Sequence, residues 1–168
     1  MHTVDASSRG ERAMQSGAMT MRDEAVLVTA DEFVTDLLCS LSLHSVDRIT
    51  LADTMADSRF EGAFADLLVA RSELGIEVDF SLAVNPYHGD SSTLRETLYD
   101  LRERGIVSIN NPSFKTVTIN VDEDDAQHFL GRSTLPRIFI ESIIEKHFVV
   151  GGATVGTGDT RARTATAA

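Results

Sequence analysis

The sequence predicts an α+β fold, mostly helical, and three observations lead there. The first is the segment Asn85–Val121, NPYHGDSSTLRETLYDLRERGIVSINNPSFKTVTINV. In it Leu94, Leu98 and Leu101 recur at i, i+4 and i+7, which places them in one apolar stripe of a helix. The second is Gly105, which follows the stripe where a left-handed residue ends a helix at low cost. The third is the pair of β-rich runs Ile106–Ile109 and Val117–Val121, separated by Asn-Asn-Pro-Ser-Phe-Lys, which reads as a hairpin.

The helix of this unit has good start signals. Ser91 and Ser92 offer side-chain oxygens to the bare N–H groups of a first turn, and Thr93 with Glu96 has capping-box spacing. Upstream, Ala25–Val28 is a short strand or the approach to a helix. Thr29 and Glu32 repeat the capping-box spacing, and Phe33, Leu37, Leu38 and Leu41 continue as a helical stripe to Leu43. Cys39 lies beside that stripe and reads as a small core residue. Thr50 with Asp53 opens a short second helix, Leu51–Asp57. A third carries Phe60, Phe64, Leu67, Leu68, Arg71 and Leu74, with Gly75 as its stop. Ile76–Val84 alternates as a strand until Asn85-Pro86 breaks it.

Downstream of the hairpin, Asp122–Asp125 places four carboxylates at a helix N-terminus, where the helix dipole favours them. A last helix is expected over Leu135–Phe148, with Pro136 at its first position. Its residues Ile138, Phe139, Ile140, Ile143, Ile144 and Phe148 cover more than one face. So wide an apolar arc requires a partner, and a second copy of the chain is the simplest one. These residues are therefore the expected dimerisation surface. Residues 1–24 and 150–168 are small, polar and aperiodic, and are expected to be disordered tails around one domain at 25–149.

Composition narrows the function classes. The net charge of −11 is unevenly placed: Arg22–Asp90 holds 14 acids against 4 bases, whereas Ser91–Val121 holds 3 acids against 4 bases. The acidic part suits a basic protein partner, and the helix–hairpin unit lacks the basic stripe typical of nucleic-acid binding. One cysteine allows no internal disulfide, which fits a reducing cytoplasm. No apolar run approaches the ~20 residues of a membrane span.

Candidate chemistry is sparse. Gly151–Thr157 has the glycine spacing of a phosphate loop but no lysine before Thr157. Asp124 and His128 share a helix face, yet no nearby Cys or His completes a metal set. His44, His88 and His147 sit at helix ends or in a turn, and no nucleophile motif is present. No catalytic, cofactor-binding or metal-ligating residue is expected, and the chain reads as non-enzymatic. The helix at Ser92–Arg104 is the best functional candidate. Its residues Thr93, Arg95, Thr97, Tyr99 and Arg102, with Lys115 at the hairpin tip, are the expected contacts to a partner protein or, alternatively, to DNA.

The run Asn85-Pro86-Tyr87-His88-Gly89-Asp90-Ser91, followed by Leu94, Leu98, Leu101 and Gly105, resembles the winged helix-turn-helix superfamily. Within it the resemblance is to bacterial and prophage proteins that include the Panacea-like antitoxins. That family's turn has Tyr directly before Gly and then Pro, where this chain has His88 between them and Asp90 after. The resemblance implies a regulator that contacts another protein, often a toxin, with a hairpin wing behind its helix.

Overall fold

The computed structural model describes residues 25–52, 54–110, 113–150 and 153–154. In chain order the elements are β1 (Val26–Val28), α1 (Ala30–Leu43), β2 (Arg48–Thr50), α2 (Thr54–Leu74), β3 (Ile76–Val78), α3 (Ser92–Glu103), β4 (Val107–Ile109), β5 (Thr116–Ile119), α4 (Glu123–Arg132), α5 (Arg137–His147), β6 (Val149–Val150) and β7 (Ala153–Thr154). The fold is α+β and mostly helical, as expected. The tails at 1–24 and 150–168 lie outside the described residues, except at 150, 153 and 154. There β6 and β7 form a short antiparallel pair.

Helix α1 is the centre of the molecule. It packs against α3, α4 and α5, and every residue from Phe33 to Leu41 is buried, including Thr35, Asp36 and Ser40. A helix buried all round has neighbours on all sides. Its start is the expected capping box: Thr29 Oγ1 accepts from the Glu32 N–H, and the Glu32 carboxylate accepts from the Thr29 N–H at 3.0 Å. Cys39 is fully buried in this helix, and burial pushes its thiol up to about 12. It is a core residue.

The hairpin is present, and a third strand joins it. Strands β4 and β5 pair antiparallel, and β2 pairs antiparallel with the other side of β5, giving the order β2-β5-β4. Val117 stands opposite both Ile49 and Ile109, and all three are buried. This row is the sheet's inner face. A separate two-stranded parallel sheet joins β1 to β3, with Val26 opposite Ile76 and Val28 opposite Val78.

Four expectations need correction. Residues 51–57 and 60–74 do not form two helices; α2 runs unbroken from Thr54 to Leu74. Thr50 belongs to β2, and no Pro or Gly interrupts the chain between Asp57 and Phe60. The strand expected over Ile76–Val84 stops at Val78, because β1 offers only three residues to pair with. The alternation beyond it comes from packing without a ladder: Leu82 is fully buried and Phe80 rests on Phe33 and Phe64. Helix α3 is capped by Ser91, whose Oγ accepts from the Leu94 N–H, and the Thr93–Glu96 pair falls inside the helix. Pro136 is the N-cap of α5, one position before the expected N1.

The terminal helix corrects the dimerisation expectation. Ile140, Ile143, Ile144 and Phe148 are buried within the chain itself, where α5 packs on α1 and α2. Phe148 meets Phe60 edge-on with ring centroids 5.1 Å apart. Phe139 is partly buried against the same core, so only Ile138 stands clear, at 80% exposure. The partner demanded by the wide apolar arc is the rest of the same chain. Polar contacts finish the seam: Lys146 Nζ donates to both oxygens of Asp66, and His147 Nε2 lies 2.8 Å from Asp66 Oδ2. Burial raises the Asp66 carboxyl, but these hydrogen bonds and charges outweigh it and leave it below its ordinary value. A Cβ at Gly62 in α2 would stand 2.7 Å from the His147 ring, so a larger residue there would have to displace that ring.

Asp36 supplies a test of how α1 is enclosed. It is 6% exposed and accepts a hydrogen bond from Ser133 Oγ at 2.5 Å. Burial raises its carboxyl from 3.8 to about 6, against the lowering effect of Ser133. The folded state therefore holds this proton more tightly than the unfolded chain, so stability falls as pH rises from about 4 to above 6. Asp36→Asn removes that component. Chemical denaturation should show the difference between variant and wild type moving in the variant's favour by about 2–3 kcal/mol between pH 4 and pH 7. A constant difference across that range would contradict the burial described.

Candidate interaction face on α3 and the hairpin

The expected contact residues Thr93, Arg95, Thr97, Tyr99, Arg102 and Lys115 do not share one free surface. Leu94, Leu98 and Leu101 face the core, as the stripe requires, and Thr97 is buried with them at 3% exposure. Thr97 is thereby corrected: being polar did not place it outside. Thr93 is half-buried, Tyr99 is 44% exposed and Lys115 is exposed on the hairpin.

Arg95 is bound inside the chain. Its Nη2 donates to Asp57 Oδ2 at 2.7 Å, and Asp57 is only 1% exposed. Asp57 lies in the first turn of α2, and its Oδ1 accepts from the Ser91 N–H at 3.1 Å. One carboxylate thus holds both the N-cap residue of α3 and a guanidinium one turn later. Glu61, one turn along α2, accepts from the Val84 N–H at 2.9 Å and secures the approach to α3. The signal for Asp57 was present but unread. Asp57, Phe60, Phe64 and Leu67 fall on one helical stripe, and an acid within an apolar stripe must find a buried partner.

The outer side of α3 is layered by side chains from the helix and the hairpin. The Arg95 guanidinium carbon lies 5.5 Å from the centroid of Phe114. Phe114 stacks on Tyr99 at 4.8 Å between centroids, tilted by 34°. Arg102 in turn lies 5.6 Å from the Tyr99 centroid. The order is therefore Arg95, Phe114, Tyr99, Arg102. A stacked guanidinium is held at an exposed site by ~0.5–1 kcal/mol, more where water is excluded.

Phe114 reaches this position through a strained turn. Its φ is +47°, a left-handed conformation that bulky residues rarely adopt. Asn110 holds the turn: its Oδ1 accepts from the N–H groups of Lys115 and Thr116 at 3.1 and 2.7 Å, and its backbone carbonyl accepts from the Phe114 N–H. Asn110 and Phe114 were not singled out from the sequence, since a side-chain-closed loop and a non-glycine left-handed residue have no periodic signature.

The charges of the face are mostly answered. Arg102 pairs with Glu103 at 2.7 Å, and Arg104, the C-cap, pairs with Asp31 at 3.3 Å. Glu96 and Asp100 are exposed on the same helix. Asp124 and His128 are exposed on α4. Among the described residues no group of three His, Cys, Asp or Glu could hold a metal ion. The phosphate-loop-like Gly151–Thr157 lies outside the described residues except at 153 and 154.

Two substitutions separate the turn from the stack. Asn110→Ala removes two side-chain hydrogen bonds to the backbone and should destabilise the chain by about 1–2 kcal/mol in denaturant titration. Phe114→Ala removes the aromatic contact with Tyr99, worth about 0.5–1.5 kcal/mol beyond the buried area, and should increase quenching of tyrosine fluorescence by iodide. Unchanged stability and unchanged quenching in both variants would show that the hairpin tip does not rest on α3.

Comparison with protein-family models, with curated proteins and with solved structures found no match, so the reading of this face rests on its own geometry.

Proposed function

We propose that the chain is a cytoplasmic, non-enzymatic regulatory or accessory protein that works through protein–protein contacts of a winged-helix domain. The observation that carries this reading is the fate of the arginines on α3. Arg95, Arg102 and the capping Arg104 each meet a carboxylate of the same chain, while Glu96 and Asp100 face outward. Such a face has little to offer a phosphate backbone, where affinity comes from cations that release counterions. It suits a protein partner, and the aromatic–guanidinium stack gives that partner a firm, largely preformed surface.

Topology supports the winged-helix part. A strand between the first two helices pairs with the far strand of a hairpin that directly follows a third helix. The connection from α2 to α3 is longer than the three or four residues of a simple helix-turn-helix, since residues 75–91 lie between them. Charge supports a basic partner: Arg22–Asp90 carries 14 acids and 4 bases, and Glu73, Glu77 and Asp79 are exposed around the end of α2.

One observation favours a second reading. Lys115 is exposed on the hairpin next to Phe114, and Tyr99, which stacks on Phe114, is 44% exposed. This is a place where a winged helix can touch DNA.

Pull-downs from the native host with the full chain discriminate the two. A specific protein should be retained at about 50 mM salt, released toward 500 mM, and weakened about tenfold by the charge reversals Glu73→Lys, Glu77→Lys and Asp79→Lys together. Failure to retain any protein, with genomic fragments shifted at low salt and released by Arg102→Ala with Lys115→Ala, would replace this reading with the DNA-binding one.

A further inference from the structure

A cavity of about 430 Å³ opens between α1 and the turn that joins α4 to α5, on the side of the molecule where α3 ends. Its volume lies in the range of small-molecule sites. Val28, Phe129 and Leu135 give it apolar walls. Polar groups converge on it from three elements: Thr35 and Asp36 from α1, Arg104 from the end of α3, and Arg132 with Ser133 from the end of α4.

Two features distinguish this cavity from a packing gap. Thr35 is 6% exposed and its Oγ1 has no hydrogen-bond partner among the described residues. A buried helical threonine ordinarily returns its hydroxyl to the carbonyl four residues back, and an unpaired buried hydroxyl costs stability. Here Thr35 lines the cavity, and its hydroxyl, closed off from solvent, stands unpaired among the described residues. Ser133, by contrast, is fully used: its Oγ donates to Asp36 and accepts from the Leu135 N–H at 2.9 Å. That arrangement fixes the Asp36 carboxylate from one side. At the rim, Arg132 is exposed and forms no salt bridge among the described residues. Arg104 meets Asp31 through a single nitrogen.

We propose that this cavity binds a small organic monocarboxylate that also carries a hydroxyl or amino group. Arg132, with Arg104 beside it, takes the carboxylate at the rim, and Thr35 Oγ1 and Asp36 take the second group inside. The charges select this class. Two arginines draw an anion in, but Glu32 and Asp36 also line the cavity and would repel a phosphate or dicarboxylate. A ligand whose inner end donates a hydrogen bond answers Asp36, whose carboxyl burial has already pushed up to about 6. The apolar walls require a short hydrocarbon body between the two ends. The assignment stands on the cavity alone and does not depend on the regulatory reading.

The test uses the full chain and ligand-observed NMR with four probes. They are 4-hydroxyphenylacetate and 4-aminophenylacetate, which have both groups at opposite ends of the ring, phenylacetate, which lacks the inner one, and tyramine, which lacks the carboxylate. At least one of the first two should bind below about 10 mM, and about tenfold more tightly than phenylacetate and tyramine. Thr35→Val keeps the side-chain shape and should remove that tenfold advantage over phenylacetate while raising the melting temperature, since it deletes an unpaired hydroxyl. Arg132→Gln, at an exposed position, should abolish the advantage over tyramine. If no two-group probe binds below about 10 mM, or if both variants bind it as the wild type does, the assignment is overturned.

Discussion

The Asp57 carboxylate holds α3 in place. It is taken out of water in the first turn of α2, receives the Arg95 guanidinium on one oxygen and the Ser91 N–H on the other, and so anchors α3 at its cap and one turn later. Removing one partner of such a pair strands the other charge in a poor solvent, at a cost of ~3–5 kcal/mol. That cost makes the position of Arg95 a property of the fold. Phe114 then lies over Arg95 and Tyr99, and the hairpin follows the helix. The candidate interaction face is thus assembled from within, through a buried acid.

The central helix follows a different logic. With residues Phe33–Leu41 buried on every side, α1 supplies apolar contact to α3, α4 and α5, and its polar residues must be answered by those neighbours. Ser133 answers Asp36. Among the described residues nothing answers Thr35 Oγ1. The residue that carries it lines the cavity, as does Arg104, which caps α3. The pocket and the interaction face therefore share a wall at Arg104, which also reaches Asp31 near the start of α1.

Elements whose cause is local were legible in the sequence. The Thr29–Glu32 box, the leucine stripe of α3, and Gly75 and Gly105 as stops, at φ +65° and +78°, all follow from neighbouring residues, and all are present. Features set by distant partners were not. Strand β2 is three residues long, and only β5, more than sixty residues away, makes it a strand. The run at 76–84 alternates like a strand, but its partner ends after three residues. Helix α5 looked short of company because α1 and α2 cannot be seen from its own sequence. Arg95 and Thr97 were read as outward from their polarity, whereas Asp57 draws the first inward and the core accepts the second. Polarity reports the average residue, and buried pairs are where that average fails.

The most direct measurement of the central claim is a double-mutant cycle on Asp57→Asn and Arg95→Gln, read by equilibrium unfolding in denaturant. If α3 is held by the buried pair, each single change is strongly destabilising and the double change costs less than their sum, with a coupling of at least about 1.5 kcal/mol. Additive effects, with a coupling below about 0.5 kcal/mol, would mean that Arg95 is free to serve a partner and that α3 is positioned by its leucines alone.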